Sequence, residues 1–127
     1  MEITILFTGI LGIMFFGLSL RTILGRGKNK VNLGTGDSDD MLRRVRTHAN
    51  FAEYIPFLLI IMGLLEYQGI SDAILYLFGT VVVIGRVLHF YGLYSPQTPG
   101  WARVYGMQCT LWPLVLGCTV LLYRLMV

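Results

Sequence analysis

Four apolar runs, each close to the ~20 residues that a helix needs to cross a bilayer, occupy most of this chain and leave room for little else. They fall at about Ile3 to Leu24, at Phe51 to Leu65 with a polar lead-in from Met41, at Ala73 to Tyr94, and at Val104 to Val127. The spacing predicts an all-α integral membrane four-helix bundle, one domain over residues 1–127, with helices at about 3–24, 41–65, 72–94 and 101–126. Composition agrees: 55% of the 127 residues are hydrophobic and 13% charged, whereas a soluble domain has about 45–50% apolar and about 25% charged residues. Met1-Glu2 lacks a basic lead and no small-residue cleavage site follows, so the first run is expected to be retained as a helix.

The connections are a long polar one, Gly25 to Asp40, and two short ones, Glu66 to Asp72 and Ser95 to Gly100, the last with Pro96 and Pro99. Short links imply antiparallel neighbours. Asp39 or Asp40 is expected to cap the second helix and Ser71 the third, with Asp72 in its first turn. Arg21, Arg26, Lys28, Lys30, Arg43, Arg44 and Arg46 flank or occupy the first connection, while the second has Glu66 and Asp72 and no Lys or Arg. The positive-inside rule then places the first and third connections in the cytoplasm and both termini on the other side, with Arg124 as the basic residue that counts against it. Tyr91, Tyr94, Trp101 and Tyr105 bracket the third connection as an interfacial aromatic belt would.

Against this apolar background the stretch Arg46-Thr47-His48-Ala49-Asn50-Phe51-Ala52-Glu53-Tyr54 is costly, since a charge near the middle of a spanning helix costs about 2.5–3.5 kcal/mol on insertion scales. At 100° per residue Arg43, Arg46, Asn50 and Glu53 form one stripe, with Phe57 continuing it and His48 on nearly the opposite face. Arg86, His89, Phe90 and Leu93 form a stripe on the third helix, and Arg103 opens the fourth at the same level, followed by Tyr105, Gly106 and Gln108. An internal pair between Glu53 and one Arg is the structural alternative. Even so, Glu53 cannot neutralise Arg46, Arg86 and Arg103 together, so the site calls for an anion. A ligand with carboxylates, one ammonium and a thiol would use the whole set.

Other residues carry less chemistry. Cys109 and Cys118 are nine residues apart, about 13 Å on a helix and on opposite faces, so they read as small buried hydrophobes and not as a disulfide. No metal is expected, because His48 and His89 lie on different helices without a partner set. Nor is nucleic acid a partner, since the pI of 9.1 comes largely from membrane-flanking Lys and Arg. Thr8 with Gly12, and Gly106 with Thr110, have the small-xxx-small spacing of close helix contacts. Pro56 and Pro113 each free a backbone carbonyl in their helices.

The order Arg46, Asn50, Glu53-Tyr54, Pro56 on the second of four spans resembles the MAPEG superfamily, the membrane-associated proteins of eicosanoid and glutathione metabolism. Arg86 and His89 look like the third-span Arg and His or Tyr of that superfamily, and Arg103 like its fourth-helix Arg. The resemblance covers the whole chain in length, span count and loop pattern. It implies a homotrimer of four-helix bundles with glutathione, as co-substrate, bound in a U shape between neighbouring subunits near the cytoplasmic face. By position, Arg46, Asn50 and Glu53 would hold its peptide and charged ends beside Tyr54, Arg86 and His89 would line the pocket, and either Arg21 or Arg26 would supply the first-helix Arg of relatives. Arg103 would sit by the sulfur as the catalytic residue. The implied activity is a glutathione transferase or peroxidase acting on lipophilic electrophiles or hydroperoxides that arrive from membrane lipid. One position departs: where leukotriene-forming relatives carry a Tyr seven residues after the third-helix Arg, this chain has Leu93, and Tyr105 is the candidate substitute.

Two rivals remain. A small proton-coupled multidrug transporter also has four spans, but its essential acid lies in the first helix, and Ile3 to Leu20 has none. The other is a non-catalytic lipid-binding accessory protein of the same superfamily, which would not need Arg103 beside a sulfur.

Overall fold

A computed structural model describes residues 1–126 as four helices: α1 (Glu2–Asn29), α2 (Asp39–Tyr67), α3 (Asp72–Gly92) and α4 (Gly100–Met126). Each is long and apolar enough to cross a membrane. Val127, the last residue of the fourth apolar run, lies outside the described residues. α1 packs chiefly on α2 and α3 chiefly on α4. Among the described residues α1 and α4 do not meet, so the helices close a ring in the order α1, α2, α4, α3, with α2 and α3 touching across it. Consecutive pairs run antiparallel, as the short links require.

α1 continues past Leu24, where its apolar run ends, because a polar sequence beyond the bilayer can still be helical. It stops at Lys30, whose left-handed backbone (φ 54°) turns its N–H back to the carbonyls of Arg26 and Gly27. The neighbouring polar groups then lock the two helix ends together. Asn29 donates to the Gly25 carbonyl at 2.9 Å and to Asp40 at 3.0 Å, and accepts from the Ser38 hydroxyl at 2.8 Å. Arg44 bridges Asp40 at 2.9 Å and the Arg21 carbonyl at 2.7 Å. The cap of α2 is Ser38, whose hydroxyl accepts from the Met41 N–H at 3.2 Å. Neither Asp39 nor Asp40 takes that role; both lie in the first turn, where carboxylates complement the helix dipole. Ser71 precedes α3 as expected, without a side-chain cap bond.

The opposite end is closed by a carboxylate. Glu66, at the end of α2, accepts from the N–H groups of Ile3 at 3.0 Å and Thr4 at 2.8 Å and from the Thr4 hydroxyl at 2.5 Å, and lies 3.4 Å from the Met1 amine. It thereby caps the first turn of α1 from more than sixty residues away in sequence, satisfying donors that would otherwise be orphaned.

Between these ends the core is apolar. Ile3, Phe7, Met62, Leu65 and Leu75 fill the half near Glu66, and Leu11, Leu18, Phe51, Ile55 and Leu58 fill the middle. The outer surface is apolar as well, with Ile13, Phe16, Trp112 and Leu122 each more than half exposed, an arrangement stable against lipid and not against water.

Candidate functional site

The polar residues collect at the end that carries the first and third connections. There a cavity of about 310 Å³ opens between α2, α3 and α4, at the low end of the ~300–1,000 Å³ of small-molecule sites. α2 contributes Asp39, Arg43, Arg46 and Asn50, α3 contributes His89 together with Leu93 just past its end, and α4 contributes Arg103 and Met107. Three guanidiniums therefore face one cavity whose only lining carboxylate is Asp39. The Nε of Arg43 is buried without a partner among the described residues, a donor that an anionic ligand would satisfy.

Backbone contacts set the distance between these side chains. Gly92 lets the end of α3 touch the start of α4: a Cβ there would lie 2.9 Å from Arg103 Cα and closer still to its backbone nitrogen. Gly106 does the same one turn deeper, where a Cβ would come within 2.5 Å of His89 N and 2.7 Å of the Gly85 carbonyl oxygen. The Gly106 and Thr110 pair is thus used within one chain, in the α3–α4 seam. Gly12 is different, because a Cβ there meets nothing within 4 Å.

Beneath the cavity lies Arg86, 2% exposed. It donates to Asn50 Oδ1 at 2.8 Å, to the Gly106 carbonyl at 3.3 Å and to the Thr110 hydroxyl, tying α2, α3 and α4 at one level. It also reaches Met107 Sδ at 3.9 Å, and all four acceptors are neutral. Arg86 does not line the cavity itself; it reaches it through the Asn50 amide, which does.

A family comparison bears on this geometry. The MAPEG family model matches residues 4–123. The chain belongs to the MAPEG family. It is also 26% identical over 114 residues to inner membrane protein YecN of Escherichia coli strain K12, covering 90% of this chain and 86% of that one, and matches YecN of strain O6:H1 to the same extent.

The MAPEG positions named from the sequence divide into two groups. Arg46, Asn50, His89 and Arg103 line the cavity. Glu53 does not: it is exposed, one helical turn beyond Asn50, and makes no ion pair among the described residues. Tyr54 is half-buried against the mid-bundle core, and Tyr105 is exposed, its ring edge-on to Trp101 at 6.2 Å. On α1, Arg21 lies over the rings of Phe90 and Tyr94 at 5.2 and 5.3 Å, while Arg26 donates to the carbonyls of Asn32 and Gly34 at 3.4 and 3.1 Å. Leu93 is buried in the cavity wall and Tyr94 is exposed. His48 is turned to α1, stacked on Phe15 and 3.1 Å from the Ser19 hydroxyl.

Sequence reasoning placed Arg43 in the polar stripe but not among the ligand residues, and it passed over Asp39 and Met107. Arg43 was within reach, since it stands three residues before Arg46 on the same face. Asp39 reads in the sequence as a cap, and the cap on Ser38 leaves it for the cavity.

Proposed function

We propose that this MAPEG protein is a glutathione-dependent membrane transferase or peroxidase that holds the tripeptide in the α2–α3–α4 cavity and favours its thiolate. The observation that carries this reading is the charge of the lining: three guanidiniums (Arg43, Arg46, Arg103) less one carboxylate (Asp39) leave +2. Glutathione with an ionised thiol has two carboxylates, one thiolate and one ammonium, a net −2, which is equal and opposite. Arg46 and Asn50 hold a carboxylate and the peptide, Arg43 adds its unpartnered donor, and Arg103 stands beside the sulfur. A thiol of pKa about 8.5 is mostly protonated at pH 7, and an adjacent guanidinium out of bulk water shifts it toward the nucleophilic form.

With an activated alkene, the thiolate adds to the β-carbon, the C–S bond forming as the C=C π bond breaks, and the resulting α-carbanion takes up a proton from water. With a lipid hydroperoxide, the thiolate accepts the terminal oxygen, the O–O bond breaks and the lipid alcohol departs after protonation; a second glutathione then reduces the sulfenic acid to disulfide and water. Glu53 enters in a homotrimer. A carboxylate on the outer face of α2 without an ion pair among the described residues suits a site completed by a neighbouring subunit, with Arg21 or Arg26 as that neighbour's first-helix guanidinium. Positive-inside reasoning puts this end at the cytoplasmic face, where glutathione is abundant, with both termini opposite.

The test is ultraviolet difference spectroscopy of the detergent-purified protein with glutathione near neutral pH, repeated with Arg103→Ala. A thiolate band in the wild type that is lost in the variant, with turnover falling at least about tenfold, is the expected result. A folded wild-type protein that shows no thiolate, or an Arg103→Ala variant with full turnover, overturns the reading.

A further inference from the structure

Two carboxylates open α2, Asp39 and Asp40, and each stands four residues before an arginine. Side chains at that spacing are neighbours on a helix, their Cβ atoms about 5–6 Å apart, and opposite charges there attract. Asp40 and Arg44 do close, at 2.9 Å. Asp39 and Arg43, one position earlier, form no ion pair among the described residues, and both line the cavity between α2, α3 and α4 instead. Ser38 caps the helix in place of Asp39, and the Arg43 Nε is buried without a hydrogen-bond partner among the described residues. A buried donor beside a free carboxylate of opposite charge is an incomplete arrangement, and a ligand that carries both charges on adjacent groups completes it.

The charge of the cavity divides into two parts. Asp39 and Arg43 cancel each other, so the net +2 of the lining rests on Arg46 and Arg103. Glutathione divides in the same way: its γ-glutamyl end is an α-amino acid, with an ammonium and a carboxylate on one carbon and no net charge, while its thiolate and glycine carboxylate carry −2. We propose that Asp39 and Arg43 form a clamp for the amino-acid end of glutathione, Asp39 accepting from the ammonium and Arg43 donating to the carboxylate. This assignment rests on the cavity's being a glutathione site. It gives the ammonium to a carboxylate inside the cavity and not to Glu53, which is exposed one turn beyond Asn50 and does not line it. The order of residues on α2 then sets the orientation of the ligand. Asp39 stands eleven residues from Asn50, about 16 Å along the axis, so the amino-acid end lies at the mouth and the glycine carboxylate lies deeper, toward Arg46 and Asn50. The substrate class is a thiol with a free γ-glutamyl end.

The experiment is calorimetric titration of the full chain in detergent with two thiols, glutathione and its desamino analogue, in which hydrogen replaces the ammonium. The wild type is expected to bind glutathione about tenfold more tightly than the analogue, the scale of one charge-assisted hydrogen bond. Asp39→Asn should weaken glutathione about tenfold, leave the analogue unchanged and so abolish the discrimination, a coupling that a general loss of stability does not produce. Arg43→Gln should weaken both thiols alike, since both keep the carboxylate. Asp40→Asn removes the same charge from the same helical turn and should keep the tenfold ratio. A wild-type protein that binds both thiols equally overturns the clamp and leaves the glutathione site standing, and this comparison needs no variant. Discrimination that survives Asp39→Asn, or that is lost in Glu53→Gln alone, overturns it in the same way. A folded wild-type protein that binds neither thiol overturns the clamp and the glutathione reading together.

Discussion

Asn50 has two duties, one toward the cavity and one toward Arg86, and they separate by substitution. Asn50→Leu leaves a guanidinium N–H buried without an acceptor, and the expected loss is about 1.5–3 kcal/mol, seen as a lower midpoint of thermal unfolding in detergent. Asn50→Asp keeps an acceptor and supplies the counter-charge that Arg86 lacks, so it should unfold at a higher temperature than Asn50→Leu while still binding glutathione less well than the wild type. If the two variants are equally stable, Asn50 does not anchor Arg86. At the far end of the bundle, Glu66→Ala removes the acceptor of Ile3 and Thr4; on the scale of other caps the expected cost is about 1–2 kcal/mol, and amide exchange over Ile3 to Phe7 should accelerate while the cavity half stays protected. The sequence made Arg46, Asn50, His89 and Arg103 legible, because polar and ionisable groups in an apolar run have few other reasons to be there. It did not make Glu66 legible. A carboxylate near the end of a span reads as solvated, and only the antiparallel return of α2 beside the start of α1 brings it to orphaned donors.

Among the elements, α3 and α4 are fixed by glycine contacts, and substitution there tests how geometry reaches the site. Gly106→Val forces two backbones apart and displaces an acceptor of Arg86; overpacking of this kind costs about 1–3 kcal/mol, and the variant should lose the joint thermal transition of the two helices. Gly92→Ala is a smaller change with a narrower effect: it pushes on the first turn of α4, so the thiolate band attributed to Arg103 should diminish while helical circular dichroism is retained. Four spans and their order were readable from apolar run length alone, because the bilayer fixes how many residues a crossing needs. The ends were not, since hydropathy marks where a helix leaves lipid and not where it stops. Gly25 and Gly27 therefore read as a connection, although α1 passes through both, held by Asn29, Ser38 and Asp40 from outside the membrane.

For the whole molecule, the unoccupied outer face of α1 bears on assembly. A Cβ on Gly12 touches nothing in its own chain, so Gly12→Leu should leave the monomer fold intact. If the proposed homotrimer packs through this face, the variant should shift the particle mass in detergent from trimer to monomer with no loss of helix; an unchanged trimer would direct attention to another face. α3 has 21 residues where α2 has 29. From the shared level of Arg86 and Asn50, α3 rises for six more residues to Gly92, about 9 Å, and α2 for eleven to Asp39, about 16 Å. The step of about 7 Å between them makes the α3 side the lower wall of the cavity. The height of the step is counted in residues: one turn added to α3 past Gly92 would lower it by about 5 Å and carry Leu93 and the start of α4, with Arg103, along with it.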